Sequence, residues 1–286
     1  MELAITFGQL NPRAWHEAGL AADALGFESV WLPEHLVFPL EMRGQLVPGE
    51  EHAPVPPSMP IYEPTAYLAW LAAQTTRIRL GTFVYLLGIR HPFVGARAFA
   101  TLDVLSGGRA EVGVGAGWLV TEWEAVGLDP STRGRRLDEA IAVCRRLWTE
   151  DVVEHHGEFF DFAPVMFEPK PIQAPHPPIV VGGESRRALR RAAELGDGWI
   201  GMAHTPESVV PQLALLRQLE AAAGRADRPV VSTVMAPPGT DVTPELAGEY
   251  AAAGVDRLIV VPWTSSRDAV AGMERFAAQH ELNGGQ

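Results

Sequence analysis

Apolar residues follow two alternating rhythms along the chain. Short solid runs occur at Leu3–Phe7, Ser29–Leu32, Ile78–Leu87, Ala110–Val114, Ile179–Val181, Gly198–Gly201, Val230–Met235 and Arg257–Val261. Such runs read as strands buried on both faces. Between and after them lie stretches with apolar positions three and four apart: Ala14–Leu25, Thr65–Thr75, Phe93–Leu105, Arg135–Trp148, Ser185–Leu195, Pro206–Ala223, Pro244–Ala252 and Arg267–His280. These read as helices, and Gly26, Ser106-Gly107-Gly108 and Gly196 supply the residues that commonly end them. Two segments break the alternation. Pro33–Pro60 is rich in Pro, Gly and charge and predicts a long loop, a kind that is usually functional. Val152–Phe162 alternates loosely around His156-Gly157 and predicts an inserted hairpin.

Eight strands, each followed by a helix, predict an α/β protein in which residues 1–286 form a single (β/α)₈ barrel with insertion loops at its C-terminal face. The competing architecture, an open doubly wound sheet, would carry a glycine fingerprint directly after the first strand. Gly8-Gln9-Leu10-Asn11 is not that fingerprint.

Composition narrows the functional classes. The 286 residues are 47% hydrophobic, enough for a substantial core, and 23 basic residues against 35 acidic ones leave a formal net charge of −12. That balance argues against a surface for nucleic-acid phosphates or anionic lipid. Cys144 is the single cysteine, which excludes an internal disulfide framework. No apolar run approaches the roughly 18–20 residues of a membrane span. The opening MELAITFGQL has no basic n-region followed by a cleavage site. The expectation is a soluble, cytoplasmic enzyme acting on a small molecule.

In a barrel of this kind the chemistry lies where strands end and loops begin. Three such places carry unusual residues. Pro33-Glu34-His35 follows the second strand, and an acid beside a histidine can serve general acid–base catalysis; the same pair can also cap and pack within the loop. Gly182-Gly183-Glu184-Ser185 precedes Arg186, Arg187, Arg190 and Arg191. Glycines admit a ligand to the backbone, and a helix N-terminus favours an anion, so this turn predicts a phosphate-type site. Gly113, Gly115 and Gly117 alternate before Trp118, where a flat ligand could lie on bare backbone; a tight turn would need some of the same glycines. The histidines do not converge as a metal site would require, and no Gly-x-Ser-x-Gly elbow is present.

Gly26-Phe27-Glu28-Ser29-Val30-Trp31-Leu32-Pro33-Glu34-His35, Ile78-Arg79-Leu80-Gly81-Thr82, Arg90-His91-Pro92, Leu105-Ser106-Gly107-Gly108-Arg109, the 113–118 glycine segment, the 182–185 turn and Gly196-Asp197-Gly198-Trp199 occur in this order. Together they resemble the bacterial luciferase-like monooxygenase superfamily, most closely its F420-dependent oxidoreductase branch. The resemblance implies a flavin or deazaflavin at the C-terminal mouth of the barrel, with His35 near the reacting face of the ring and Glu34 beside it. It also implies a non-proline cis peptide at Phe83–Val84, flanked by Thr82 and Tyr85, behind the ring. It assigns the cofactor phosphate to Gly182, Gly183, Glu184 and Ser185, and the residue reading adds Arg186 to that site and places Gly115 and Gly117 near the cofactor. Trp118 and Thr121 stand where some members have a glutamate and an asparagine, a departure from the members acting on sugar phosphates.

Residues and resemblance together predict hydride transfer between coenzyme F420 and a small organic substrate. Glu34 would orient His35 as proton donor or acceptor, Trp31, Phe38, Tyr85 and Trp118 would wall the substrate pocket, and the Pro33–Pro60 loop would cover the site. The alternatives are an FMNH₂- and O₂-dependent monooxygenase and a non-catalytic flavin-binding barrel. The resemblance further implies a homodimer, for which Tyr67, Trp70 and Leu71 are candidate contacts.

Overall fold

The computed structural model describes residues 1–8, 10–46 and 55–282. The strands are β1 (Glu2–Thr6), β2 (Ser29–Leu32), β3 (Arg79–Thr82), β4 (Ala110–Val114), β5 (Val152–His156), β6 (Asp161–Met166), β7 (Ile179–Gly182), β8 (Gly198–Gly201), β9 (Val231–Met235) and β10 (Arg257–Val260). The helices are α1 (Trp15–Leu25), α2 (Pro64–Ala72), α3 (Pro92–Ser106), α4 (Val120–Ala125), α5 (Arg133–Thr149), α6 (Arg186–Leu195), α7 (Pro206–Ala222), α8 (Pro244–Ala252) and α9 (Ala269–Gln279). Eight of the strands close a parallel barrel in the order β1-β2-β3-β4-β7-β8-β9-β10, and β5 and β6 form a separate antiparallel pair. The barrel and the inserted hairpin are therefore as the apolar rhythm predicts. No helix among the described residues is long and apolar enough to cross a membrane.

The barrel interior is filled by Ala4, Trp31, Val180, Ile200, Met235 and Ile259. Trp31 lies across β3 and β4, and a Cβ on Gly81 would come within 2.5 Å of its ring. A larger residue at that position could not coexist with the indole. Trp31 is fully buried, and its Nε1 donates to the Ser29 hydroxyl at 2.8 Å. It is a barrel core residue and not the substrate-pocket wall expected from sequence. Below it, Arg257 of β10 donates to Glu28 (Nε–Oε2, 2.8 Å) and to Glu111 of β4 (Nη1–Oε2, 3.0 Å), so an ionic network spans the floor. Burial alone would depress the Arg257 guanidinium, but Glu111 and Glu28 outweigh it and hold it above the ordinary arginine range.

Helix ends follow their sequence signals. Gly26 and Gly107 end α1 and α3 with φ of 87° and 67°, and Ser185 caps α6 by accepting from the Ala188 amide. Two differences from the sequence expectation matter. The Ile78–Leu87 run is a strand only through Thr82; the Phe83–Val84 peptide is cis, Tyr85 makes a single bridge to Val114, and Leu87–Ile89 is a 3₁₀ turn. Helix α4 was not expected at all. It receives the long loop: Gly44 bridges Leu119, the Val120 amide donates to the Arg43 carbonyl at 2.7 Å, and the Arg43 amide reaches the Thr121 hydroxyl at 3.3 Å. The loop is thereby laid over the exit of β4; its residues 47–54 lie outside the described residues.

Of the dimer candidates, Leu71 is fully buried and corrects that expectation, since it packs where a Cβ on Gly19 of α1 would come within 2.7 Å. Tyr67 joins an aromatic cluster with Trp15, Tyr62 and Trp70, and of the dimer candidates Tyr67, Trp70 and Leu71 only Trp70 is substantially exposed.

Candidate active site

Every barrel strand runs the same way, so β2, β3, β4 and β7 deliver their following residues to one rim. Leaving β2, Pro33 leads to Glu34, whose side chain turns inward and is buried. Its Oε2 accepts from the Leu86 amide at 2.6 Å, and both oxygens meet the Arg90 guanidinium. Arg90 in turn lies over the Tyr85 ring at 4.3 Å. Burial raises the Glu34 carboxyl above its ordinary range, with Arg90 and the Leu86 amide opposing the rise. Glu34 braces the segment after β3 and its carboxylate makes no hydrogen bond to the His35 imidazole, which corrects the predicted orienting role. Tyr85 is fully buried against Phe99 and Arg90, a packing residue and not a pocket wall.

The acid that holds His35 is Glu122 on α4. His35 Nδ1 lies 2.8 Å from Glu122 Oε2, while Glu122 Oε1 accepts from the amides of Leu36 (2.5 Å) and Val37 (3.3 Å). The Glu122 side chain is 1% exposed and that of His35 13%. Phe38 lies against the imidazole with centroids 4.6 Å apart, and Trp118 meets it edge-on at 5.7 Å and 84°. Phe38 and Trp118, both half-buried, thus stand beside the histidine. Glu122 was missed. The only local sign is an acid inside the apolar run Leu119-Val120-Thr121-Glu122-Trp123.

Phe83 and Val84, joined by the cis peptide that the resemblance implies, are half-buried at the same rim. The Phe83 amide donates to the Leu32 carbonyl at 2.6 Å, immediately before Pro33-Glu34-His35. On the other side, a Cβ on Gly115 would lie 2.3 Å from Val84 Cγ2, and one on Gly182 would lie 2.6 Å from Val84 Cγ1. The Phe83–Val84 pair therefore joins the histidine segment to the 182–187 turn. Gly115 is buried and serves the Val84 side chain, and Gly117 takes φ +77°. These glycines answer to the chain's own packing, a correction to the view that they bare backbone for a flat ligand. Thr82 is likewise fully buried, with its hydroxyl donated to the Gly113 carbonyl at 2.7 Å, and offers no group to a cofactor.

At the turn itself Gly183 has φ +125°, a conformation that favours glycine. Ser185 uses its hydroxyl as the helix cap, leaving the first-turn amides of Arg186 and Arg187 without intrahelical acceptors. Both arginines are exposed, whereas Arg190 pairs with Glu194 and Arg191 with Asp138. Glu184 does not join this donor set. Its carboxylate accepts from the Met202 amide (2.8 Å) and meets His204 Nε2 (2.7 Å), which ties the turn to the loop after β8. That removes Glu184 from direct phosphate contact.

The sequence model for luciferase-like monooxygenases matches residues 5–285. The chain belongs to that family. An uncharacterised protein of Mycobacterium tuberculosis is 34% identical to it over 92% of each chain. An F420-dependent glucose-6-phosphate dehydrogenase of Kineococcus radiotolerans is 34% identical over 79% of this chain and 64% of its own. Among solved structures, the monooxygenase RslO1 of Streptomyces bottropensis superposes with a TM-score of 0.74, at 26% identity over 98% of both chains. This luciferase-like protein is accordingly an oxidoreductase of a family that includes F420-dependent enzymes and monooxygenases.

What a tricyclic cofactor needs, this rim offers. Phe83 and Val84 present apolar surface, the free amides of α6 with Arg186 and Arg187 present donors to an anionic tail, and His35 follows the end of β2, whose Leu32 carbonyl accepts from the Phe83 amide. The residues fit the group.

Proposed function

We propose that this luciferase-like protein is an F420-dependent oxidoreductase acting on a small organic substrate. The observation that carries the reading is the continuity of the rim: one platform, Phe83–Val84, contacts the histidine segment through Leu32 and the anion-binding turn through Gly182. A deazaflavin supplies two-electron hydride chemistry when bound, and the protein supplies position and a dry environment. Gly182, Gly183, Ser185, Arg186 and Arg187 would hold its phosphate, and Phe83 with Val84 would back its ring. Phe38 and Trp118 would wall the substrate beside His35, which handles the accompanying proton. The loop carrying Arg43 and Gly44, fastened to α4, would screen the site from water.

The dehydrogenase relative supports F420, although Trp118 and Thr121 depart from the pattern of sugar-phosphate members, so a different substrate is proposed here. The second reading is an FMNH₂- and O₂-dependent monooxygenase, favoured by the likeness to RslO1 along nearly the whole chain. Titrating the protein with F420 and with FMN, followed by fluorescence quenching, separates the two. Saturable binding of F420 is the expected result; binding of FMN alone would overturn the first reading in favour of the second, and binding of neither would point to a non-catalytic barrel. A homodimer burying Trp70 belongs to the same proposal.

A further inference from the structure

The ionised carboxylate of a glutamate accepts hydrogen bonds and donates none. Glu122 Oε1 already accepts from the Leu36 and Val37 amides, and Oε2 faces His35 Nδ1 at 2.8 Å. The bond at Oε2 therefore requires a proton on Nδ1. A neutral imidazole carries one proton, so Nε2 is left with its lone pair, and among the described residues it has no hydrogen-bond partner. We infer that Glu122 is a positioning residue that fixes His35 in the Nδ1–H tautomer and so presents Nε2 to the substrate as a proton acceptor.

Three further observations sharpen this role. Glu122 belongs to α4, a helix that also fastens the covering loop through Val120 and Thr121, so the tautomer is set by the element that closes the site. Glu34, the acid adjacent in sequence, is consumed by Arg90 and Leu86 and cannot compete for the imidazole. Phe38 and Trp118 pack against the ring and resist the flip that would exchange its two nitrogens. An acceptor at Nε2 matches a substrate that arrives with an O–H, as an alcohol does. With such a substrate Nε2 would take the hydroxyl proton, and the bound cofactor would supply the two-electron acceptor chemistry that the oxidation needs. This acceptor role rests on the function proposed above; the tautomer does not.

Glu122→Gln tests the inference because its geometry forces the opposite outcome. The two backbone donors keep the amide oxygen at the Oε1 position, so the amide NH₂ is turned toward His35 Nδ1. That donor demands a lone pair on Nδ1 and moves the proton to Nε2. Long-range ¹H–¹⁵N spectra of the imidazoles in cofactor-free protein near pH 7, with His35 assigned through His35→Ala, read the tautomer directly. Wild type should show protonated Nδ1 and bare Nε2, and Glu122→Gln should show the reverse with unchanged F420 affinity in a quenching titration. A wild-type ring protonated at Nε2, alone or at both nitrogens, would overturn the inference whether or not the variant folds; an unchanged tautomer in a folded variant would do the same. Failure to bind F420 with the wild-type tautomer as described would sink the proposed cofactor and leave the role of Glu122 standing.

Discussion

Glu34 and Glu122 are both buried carboxylates at one rim, and their partners give them different work. Glu122 meets two amides and an imidazole, which keeps a histidine in place; Glu34 meets a guanidinium, which keeps a backbone in place. The distinction makes a prediction at Arg90. Arg90→Ala would strand a buried carboxylate with one amide donor, and breaking a buried pair in this way typically costs about 3–5 kcal/mol. Combining Arg90→Met with Glu34→Gln should recover most of that loss, because the pair's own attraction largely repays desolvation. Urea denaturation of the two variants measures both. A loss below about 1 kcal/mol for Arg90→Ala would show that the Glu34–Arg90 brace contributes little.

The elements were largely legible because each βα unit advertises itself locally: a solid apolar run, a turn, an amphipathic helix and a glycine stop. Legibility failed where tertiary contacts override that rhythm. The run after Ile78 is apolar through Leu87, yet the chain leaves the barrel wall after Thr82 and Val84 fits between Gly115 and Gly182, contacts no local pattern encodes. Helix α4 is six residues long and owes its place to the loop packed on it, so its periodicity is too brief to read. The joint between α1 and β3 carries a testable consequence. Asp23 on α1 accepts from the amides of Thr76, Arg77 and Ile78. Partial burial raises its carboxyl, but these three donors together with the Arg77 charge prevail and hold it below the usual aspartate range. A carboxyl depressed in the folded state stabilises the fold above its unfolded pKa of about 4, and that contribution is lost as pH falls through the lower folded value. Thermal melts from pH 6 to pH 2.5 should therefore show a steeper acid decline in wild type than in Asp23→Asn. Parallel curves would remove Asp23 from the acid response.

At the scale of the molecule, a closed barrel brings together residues that sequence order keeps apart, and this is why the site was only half readable. His35 and the 182–187 turn lie at strand ends, which the fold class points to directly; Glu122 lies 87 positions from His35 and enters only through a loop-to-helix contact. The opposite end of the barrel obeys the same logic. Arg257 stands on β10, the strand beside β1, while Glu111 stands on β4 across the interior and Glu28 just precedes β2. Arg79 of β3 also reaches Glu111, so four charges tie opposite walls beneath Trp31, whose ring lies 5.3 Å from the Arg257 guanidinium. With Arg257 removed, Glu111 retains Arg79, whereas Glu28 keeps only a distant contact to Arg79 at 4.0 Å. The expected cost of Arg257→Met is then near the lower end of the range for a broken buried pair, about 3 kcal/mol, and Glu28→Gln added to it should return part of the loss. Because the network lies at the floor and the proposed cofactor platform at the rim, any F420 affinity of the wild type should be retained by the folded variant. Urea denaturation followed by a quenching titration on the same preparation checks both halves, and a variant that keeps full stability would show that the barrel closes on its apolar interior alone.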